Sequence, residues 1–192
     1  MNEIIVKKNE EVVLPILWTG EETELSYSIK LSQRGASIKF LALLLGKENQ
    51  SLTLKVQVAH MAPDTKSNVV IKSALTDSAK VDIDGLVKIE PGAKGTNAWL
   101  AAHLLLLSEK AKGRAVPSLE ILENDIKAGH ATTVGRINDM EMFYLMSRGL
   151  SKQTAKQLIV EGFLQSMIET FPEVLAIKAK TSITKITDRS KM

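Results

Sequence analysis

An all-β body closed by a short helical C-terminal end is the fold class this sequence predicts, on three observations. Apolar and polar residues alternate with a period of two through the first two thirds of the chain. Short segments of this kind are separated by Gly, Pro, Asp and Asn, the residues that favour turns. The pattern then changes to a helical period after Asn138-Asp139. The expected division is a β body over residues 1–138 and a helical region over 139–192.

Each element follows from its residues. Val12 to Trp18 is an apolar run that stops at Thr19-Gly20, a turn signal. Leu25 to Leu31 and Ala36 to Ala42 follow, and Leu52-Thr53-Leu54-Lys55-Val56-Gln57-Val58 alternates strictly, as a strand with one dry face should. Further short strands are expected at Val69–Leu75, Lys80–Ile83, Leu86–Ile89, Leu104–Leu107 and Leu119–Leu122. Gln33-Arg34-Gly35, Gly46 to Asn49, Ala62-Pro63-Asp64, Pro91-Gly92 and Glu123-Asn124-Asp125 punctuate them. Many short strands suit a sandwich, a barrel or a β-solenoid, and no repeat of fixed length selects among the three. Past residue 138, Asn138 or Asp139 caps a helix from Met140 to Ser147, with Gly149 as its stop. Ser151 caps a second helix, whose apolar positions Ala155, Leu158, Ile159, Phe163 and Met167 fall near a 3.6-residue period, with Pro172 after its end. The stretch from Glu173 begins amphipathic and ends as a basic tail, expected to fray.

Composition narrows the function. The 192 residues carry a net charge of +3, too small to argue for nucleic acid, and only 4% are aromatic, too few for base-stacking platforms. MNEIIVKKNEEVV carries acids and no apolar stretch, so no signal peptide is expected. The apolar run Ala98–Leu107, broken by His103, is too short to span a bilayer, which points to a cytoplasmic protein with no membrane partner. With no cysteine there is no disulfide, thiolate metal site or cysteine nucleophile. Gly46-Lys47 lacks the other residues of a phosphate-binding loop, and no nucleophile–base pair stands out. The expectation is therefore a non-enzymatic protein.

From Gly85 to Phe163 the sequence resembles the core of the SufB/SufD proteins of iron–sulfur cluster assembly. The residues that carry this are Asp84-Gly85-Leu86-Val87-Lys88-Ile89, Leu105-Leu106-Leu107-Ser108, Pro117-Ser118-Leu119-Glu120-Ile121, His130-Ala131-Thr132-Thr133-Val134-Gly135 and Phe143-Tyr144-Leu145-Met146-Ser147-Arg148-Gly149. These ordered blocks span about eighty residues, and His60 to Thr65 resembles a histidine-led turn of the family more weakly. The resemblance implies a right-handed parallel β-helix, a C-terminal helical region that docks a SufC-type ABC ATPase, and pairing with a SufB-type paralogue or with itself. The chain departs from the family by its shortness, by Ala102 near the position of a cysteine in SufB-type members, and by Ala131 in place of a glutamate beside their histidine. The last two departures imply the SufD-like half, or a divergent relative unable to host a cluster alone.

On that resemblance His130 is the candidate metal or cluster-assembly residue, since imidazole suits iron. It is expected at the hinge between sheet and helices, where its bland role is to bond a turn backbone. His60 and His103 are weaker candidates: His60 reads as a turn residue before Pro63, and His103 as a satisfied histidine in an apolar run. Arg148, Lys156, Gln157 and Phe163 are the partner-docking candidates, and Trp18 and Trp99 read as core anchors. The helices are expected to cover an otherwise open sheet edge. No cofactor is expected to stay on the isolated chain, while iron or an iron–sulfur cluster could pass transiently through the complex. Two other functional classes fit less of the sequence. A solenoid module could recruit or stabilise the ATPase without touching iron or sulfur. An acyltransferase-type solenoid using His130 as base would require a hexapeptide repeat that this chain lacks.

Overall fold

The computed structural model describes residues 1–187. Ten strands form two parallel five-stranded sheets, one in the order β1-β3-β5-β7-β9 and the other β10-β8-β6-β4-β2. The strands are β1 (Asn2–Ile5), β2 (Glu11–Trp18), β3 (Glu24–Leu31), β4 (Ser37–Gly46), β5 (Ser51–His60), β6 (Lys66–Leu75), β7 (Lys80–Ile89), β8 (Thr96–Leu106), β9 (Lys112–Ile121) and β10 (Ile126–Arg136). Because consecutive strands alternate between sheets, the chain winds as a parallel β-solenoid of about five turns.

Of the three β architectures left open by the strand pattern, the solenoid is the one formed, and the register explains why no fixed repeat is visible. Asn2 pairs with Tyr27, Ser51 with Lys80, and Lys80 with Lys112, so one turn takes from 25 to 32 residues. Turn-length changes absorb this variation without shifting which residues face inward. Lys80–Ile83 and Leu86–Ile89 are one strand, β7, because Gly85 continues the ladder between Val56 and Pro117. The expected Leu104–Leu107 segment is the end of the longer β8. Two strands, β1 and β10, were not foreseen.

One row of turns has a repeating construction. Asn9, Gly35, Asp64 and Gly95 all have positive φ, between 55° and 73°. The amide of each, in turn, donates to the carbonyl of Arg34, Pro63, Lys94 or Asp125 in the next rung. The Asn9 side chain lies where a Cβ on Gly35 would sit, and the Asp64 side chain does the same over Gly95. Short polar side chains and glycines alternate because both tolerate the left-handed conformation and only glycine leaves room for the neighbour.

The facing sides of the sheets share one core, with Trp18, Ile29, Phe40, Leu44, Leu54 and Ile71 among its fully buried members. A second core lies outside the solenoid. The helices are α1 (Asp139–Ser147), α2 (Lys152–Ile168) and α3 (Glu173–Thr187). Leu41, Leu43 and Leu45 of β4 point away from the first core and pack with Ala74 against Val160, Leu164, Met167, Phe171, Ala179 and Ile183. This corrects the expectation that the helices cover the sheet edge: α2 and α3 cover the outer face of the β4–β6 region. The apolar run Leu41–Leu45 is thereby buried on both sides. The face that α2 buries is also rotated from the expected stripe. Ala155 and Met167 are buried as expected, but Val160, Leu164 and Ile168 take the place of Leu158, Ile159 and Phe163. Leu158 is exposed. The amphipathic start of the last stretch is helical through Thr187, and its basic end beyond 187 lies outside the described residues.

Candidate functional site

The candidate site is built on the last rung. β9 and β10 each end their sheet, so each has one edge without a strand partner. In parallel register His130 stands beside Leu100, Thr132 beside Ala102 and Val134 beside Leu104, all core residues of β8. His130, Thr132, Val134 and Arg136 therefore belong to the inward-facing row of β10. Among the described residues no further rung covers them, and all are exposed. His130 is thus mid-strand and not at a hinge, which corrects the sequence expectation. Its β-branched neighbours Thr132, Thr133 and Val134 make that strand. Val116, Ile121 and Leu122 add exposed apolar surface at or beside the β9 edge.

The other two histidines go elsewhere. His60 is fully buried; Nδ1 lies 2.8 Å from Thr65 Oγ1 and Nε2 lies 2.8 Å from Ser67 Oγ. Thr65 donates to the Ala62 carbonyl and Thr96 to the Ala93 carbonyl, which assigns the ring proton to Nδ1 and makes Nε2 the acceptor of Ser67. Burial lowers the His60 pKa to about 4, so the ring is a neutral structural bridge with no lone pair turned to solvent. His103 lies on the outer face of β8, with Nδ1 2.8 Å from Thr133 Oγ1. His130 and His103 thus point to opposite faces of one sheet. Among the described residues, no cluster of three or more His, Asp or Glu is placed to hold a metal ion.

The docking candidates are also redistributed. Phe163 is half-buried beside the second core, with the Lys72 ammonium 5.1 Å from its ring centre. Lys156 reaches the Leu107 carbonyl at 3.4 Å, and Gln157 donates to Glu161 at 2.8 Å. Arg148 caps the C-terminus of α1 and stacks 5.3 Å from the Tyr144 ring, while Gly149 at φ 90° ends the helix. The helix α1 forms where the sequence predicts it, and what the sequence reading missed is that it stays uncovered. Asn138 caps it through the Met140 amide, no residue of it is buried, and Met140 and Phe143 are 74% and 68% exposed. Met140, Phe143, Tyr144 and Met146 together form an exposed apolar patch. The signal was the composition Met140–Met146, read as a capped helix without asking what would cover its apolar residues. Trp99, expected in the core, lies 45% exposed on the outer face over Gly129, whereas Trp18 is fully buried as expected.

Fold and site together define a class: a parallel β-solenoid whose last rung is left open, with helices packed on one sheet face. Residues 6–163 match the family described as SUF system FeS cluster assembly, SufBD core domain, and the chain belongs to that family. It is 37% identical over 130 residues to the iron–sulfur cluster assembly protein SufD of Bacillus subtilis (strain 168), covering 68% of this chain and 30% of that protein. It is 32% identical over 190 residues to an iron–sulfur cluster assembly SufBD family protein of Mycobacterium tuberculosis (strain ATCC 25618 / H37Rv), covering 91% of this chain and 48% of the relative. A SufBD family protein of Mycobacterium leprae (strain TN) is 36% identical over 157 residues, covering 78% of this chain and 40% of the relative. The chain therefore spans between about a third and a half of the length of these relatives. Among the described residues no helix is long and apolar enough to cross a membrane.

Proposed function

We propose that this chain is a non-enzymatic scaffold subunit of iron–sulfur cluster assembly, which pairs through its last rung with a SufB-type paralogue or a second copy and docks a SufC-type ATPase through its helical end. The observation that supports this most is His130 on an open-edge strand. An exposed imidazole flanked by Thr132 is available to a partner strand in a way that neither buried His60 nor His103 is. Unpaired strand edges are templates for pairing, and exposed Val134 and Ile121 add apolar area to the seam. Iron or a nascent cluster is the cargo there, with imidazole from this chain and thiolates from the partner, since this chain has no cysteine. The isolated chain is expected to retain no cluster. The ATPase contact is assigned to the exposed face of α1, with Phe143 and Tyr144 at its centre and Arg148 at its end. Lys156, Gln157 and Phe163 are engaged within this chain and contribute at its margin.

The test is co-expression with SufB-type and SufC-type partners. His130→Ala should leave the melting temperature nearly unchanged, because an exposed ring leaves few groups unsatisfied, yet lower the iron and sulfide of the purified complex. Phe143→Asp should release the ATPase while the solenoid pair survives. Normal iron content with His130→Ala would favour a recruiting module that touches no iron. Retention of the ATPase by Phe143→Asp would remove α1 from the docking surface.

A further inference from the structure

The outer face of the second sheet is apolar where α2 and α3 cover it, except along one row. Leu43, Lys72, His103 and Thr133 are in register across β4, β6, β8 and β10. Lys72 Nζ donates to the Phe163 carbonyl at 2.5 Å and to Ser166 Oγ at 3.0 Å, both on α2, and sits 5.1 Å from the centre of the Phe163 ring. Through this row a sheet cation grips the helix. Its next member is an imidazole, and its last, Thr133, is on the open-edge strand.

We propose that Lys72 and His103 form a proton-sensitive clasp on α2: with His103 neutral the Lys72 ammonium holds the helix, and a second positive charge on His103 drives that ammonium off and loosens α2 and α3. The sheet around His103 offers no carboxylate to offset a second charge. The outward sheet positions beside His103 are Ala101 and Leu105 on β8, Val70, Lys72 and Ala74 on β6, and Ala131, Thr133 and Gly135 on β10. None is a carboxylate. On α2 the charged side chains are Lys152, Lys156 and Glu161, with Glu169 at its C-cap; Glu161 is bonded by Gln157 and Glu169 by Gln165 of the same helix, and α3 carries Glu173, Lys178, Lys180 and Lys185. Burial, and then the Lys72 charge, hold the His103 pKa below its ordinary 6.5. Burial also lowers the pKa of Lys72. In the loosened form His103 regains the ordinary value, so protons bind that form more tightly. The clasp is whole above about pH 6.5 and weakens as pH falls below it.

The test is hydrogen exchange on the full chain at about pH 7.5 and about pH 5.5, corrected for the intrinsic pH dependence of exchange. In the unaltered protein, protection of residues 152–187 should fall severalfold more at the lower pH than that of β4 to β7, whose own fall reports buried His60. In His103→Gln, which keeps a partner for Thr133, protection of the helices and of β4 to β7 should fall by the same factor. Lys72→Met should lose most of the extra helix response, because no cation remains for His103 to repel. An equal fall in the helices and in β4 to β7 of the unaltered protein would overturn the proposal. So would the full extra helix response in either variant.

Discussion

Single residues decide more here by what surrounds them than by what they are. His60 has the chemistry of a metal ligand, but the solenoid wraps it between Thr65 and Ser67, and desolvation holds it neutral. Its folded pKa of about 4 is below the unfolded value near 6.5, so the unfolded chain binds the proton first. The stability this contributes is present above about pH 6.5 and is lost as pH falls toward 4, a total of about 3 kcal/mol. Thermal melts from neutral to acid pH should show that slope, and His60→Gln should flatten it. A parallel slope in the variant would place the acid response elsewhere. Ser73 makes the opposite case. Its hydroxyl is buried between Leu44 and Leu104 with no hydrogen-bond partner among the described residues. Ser73→Ala should leave stability unchanged or raise it by about 1 kcal/mol in denaturant titration, since it removes an unsatisfied group.

At the scale of elements, the turns and helices were legible to different degrees. Asn138, Ser151 and Gly149 mark the helix boundaries in the sequence because capping is local chemistry. The row Asn9, Gly35, Asp64 and Gly95 is not visible that way, since its members are 26 to 31 residues apart and meet only through the winding. Gly95→Ala should cost about 1–2 kcal/mol, as the added Cβ meets Asp64 Oδ1 in a left-handed conformation. Gly92→Ala, with open space around it but the same sign of φ, separates the two contributions. Equal losses would show that the stacked Asp64 adds nothing. The strand β10 escaped the sequence reading because its row of His130, Thr132 and Arg136 has no dry face, and the alternation rule sees only strands that have one.

For the whole molecule, the helical end and the solenoid share a core and are not independent. Truncation after Leu150 would strip Leu41, Leu43 and Leu45 of their cover and leave a wide apolar face. The expected outcome is a chain that keeps its β circular dichroism but binds a hydrophobic dye and self-associates. A monodisperse truncated chain without dye binding would mean that the second core contributes little. The scaffold reading belongs at this scale too, since an open rung at one end and an apolar helix beyond it are surfaces only in the folded molecule.

By itself, the sequence determined the β body, its turn residues, the helix caps and the family, because alternation, left-handed turn positions and capping act over a few neighbouring residues. It also carried His130 as the site to examine. The tertiary structure decided which face of each strand is dry twice over, that α2 and α3 lie on a sheet face, that α1 is left uncovered, and that His60 is sealed while His130 is open. Those outcomes depend on residues brought together from 25 or more positions apart, as when His130 meets Leu100 or Lys72 meets Phe163. Burial is a property of the assembled rungs and is not written in any one of them.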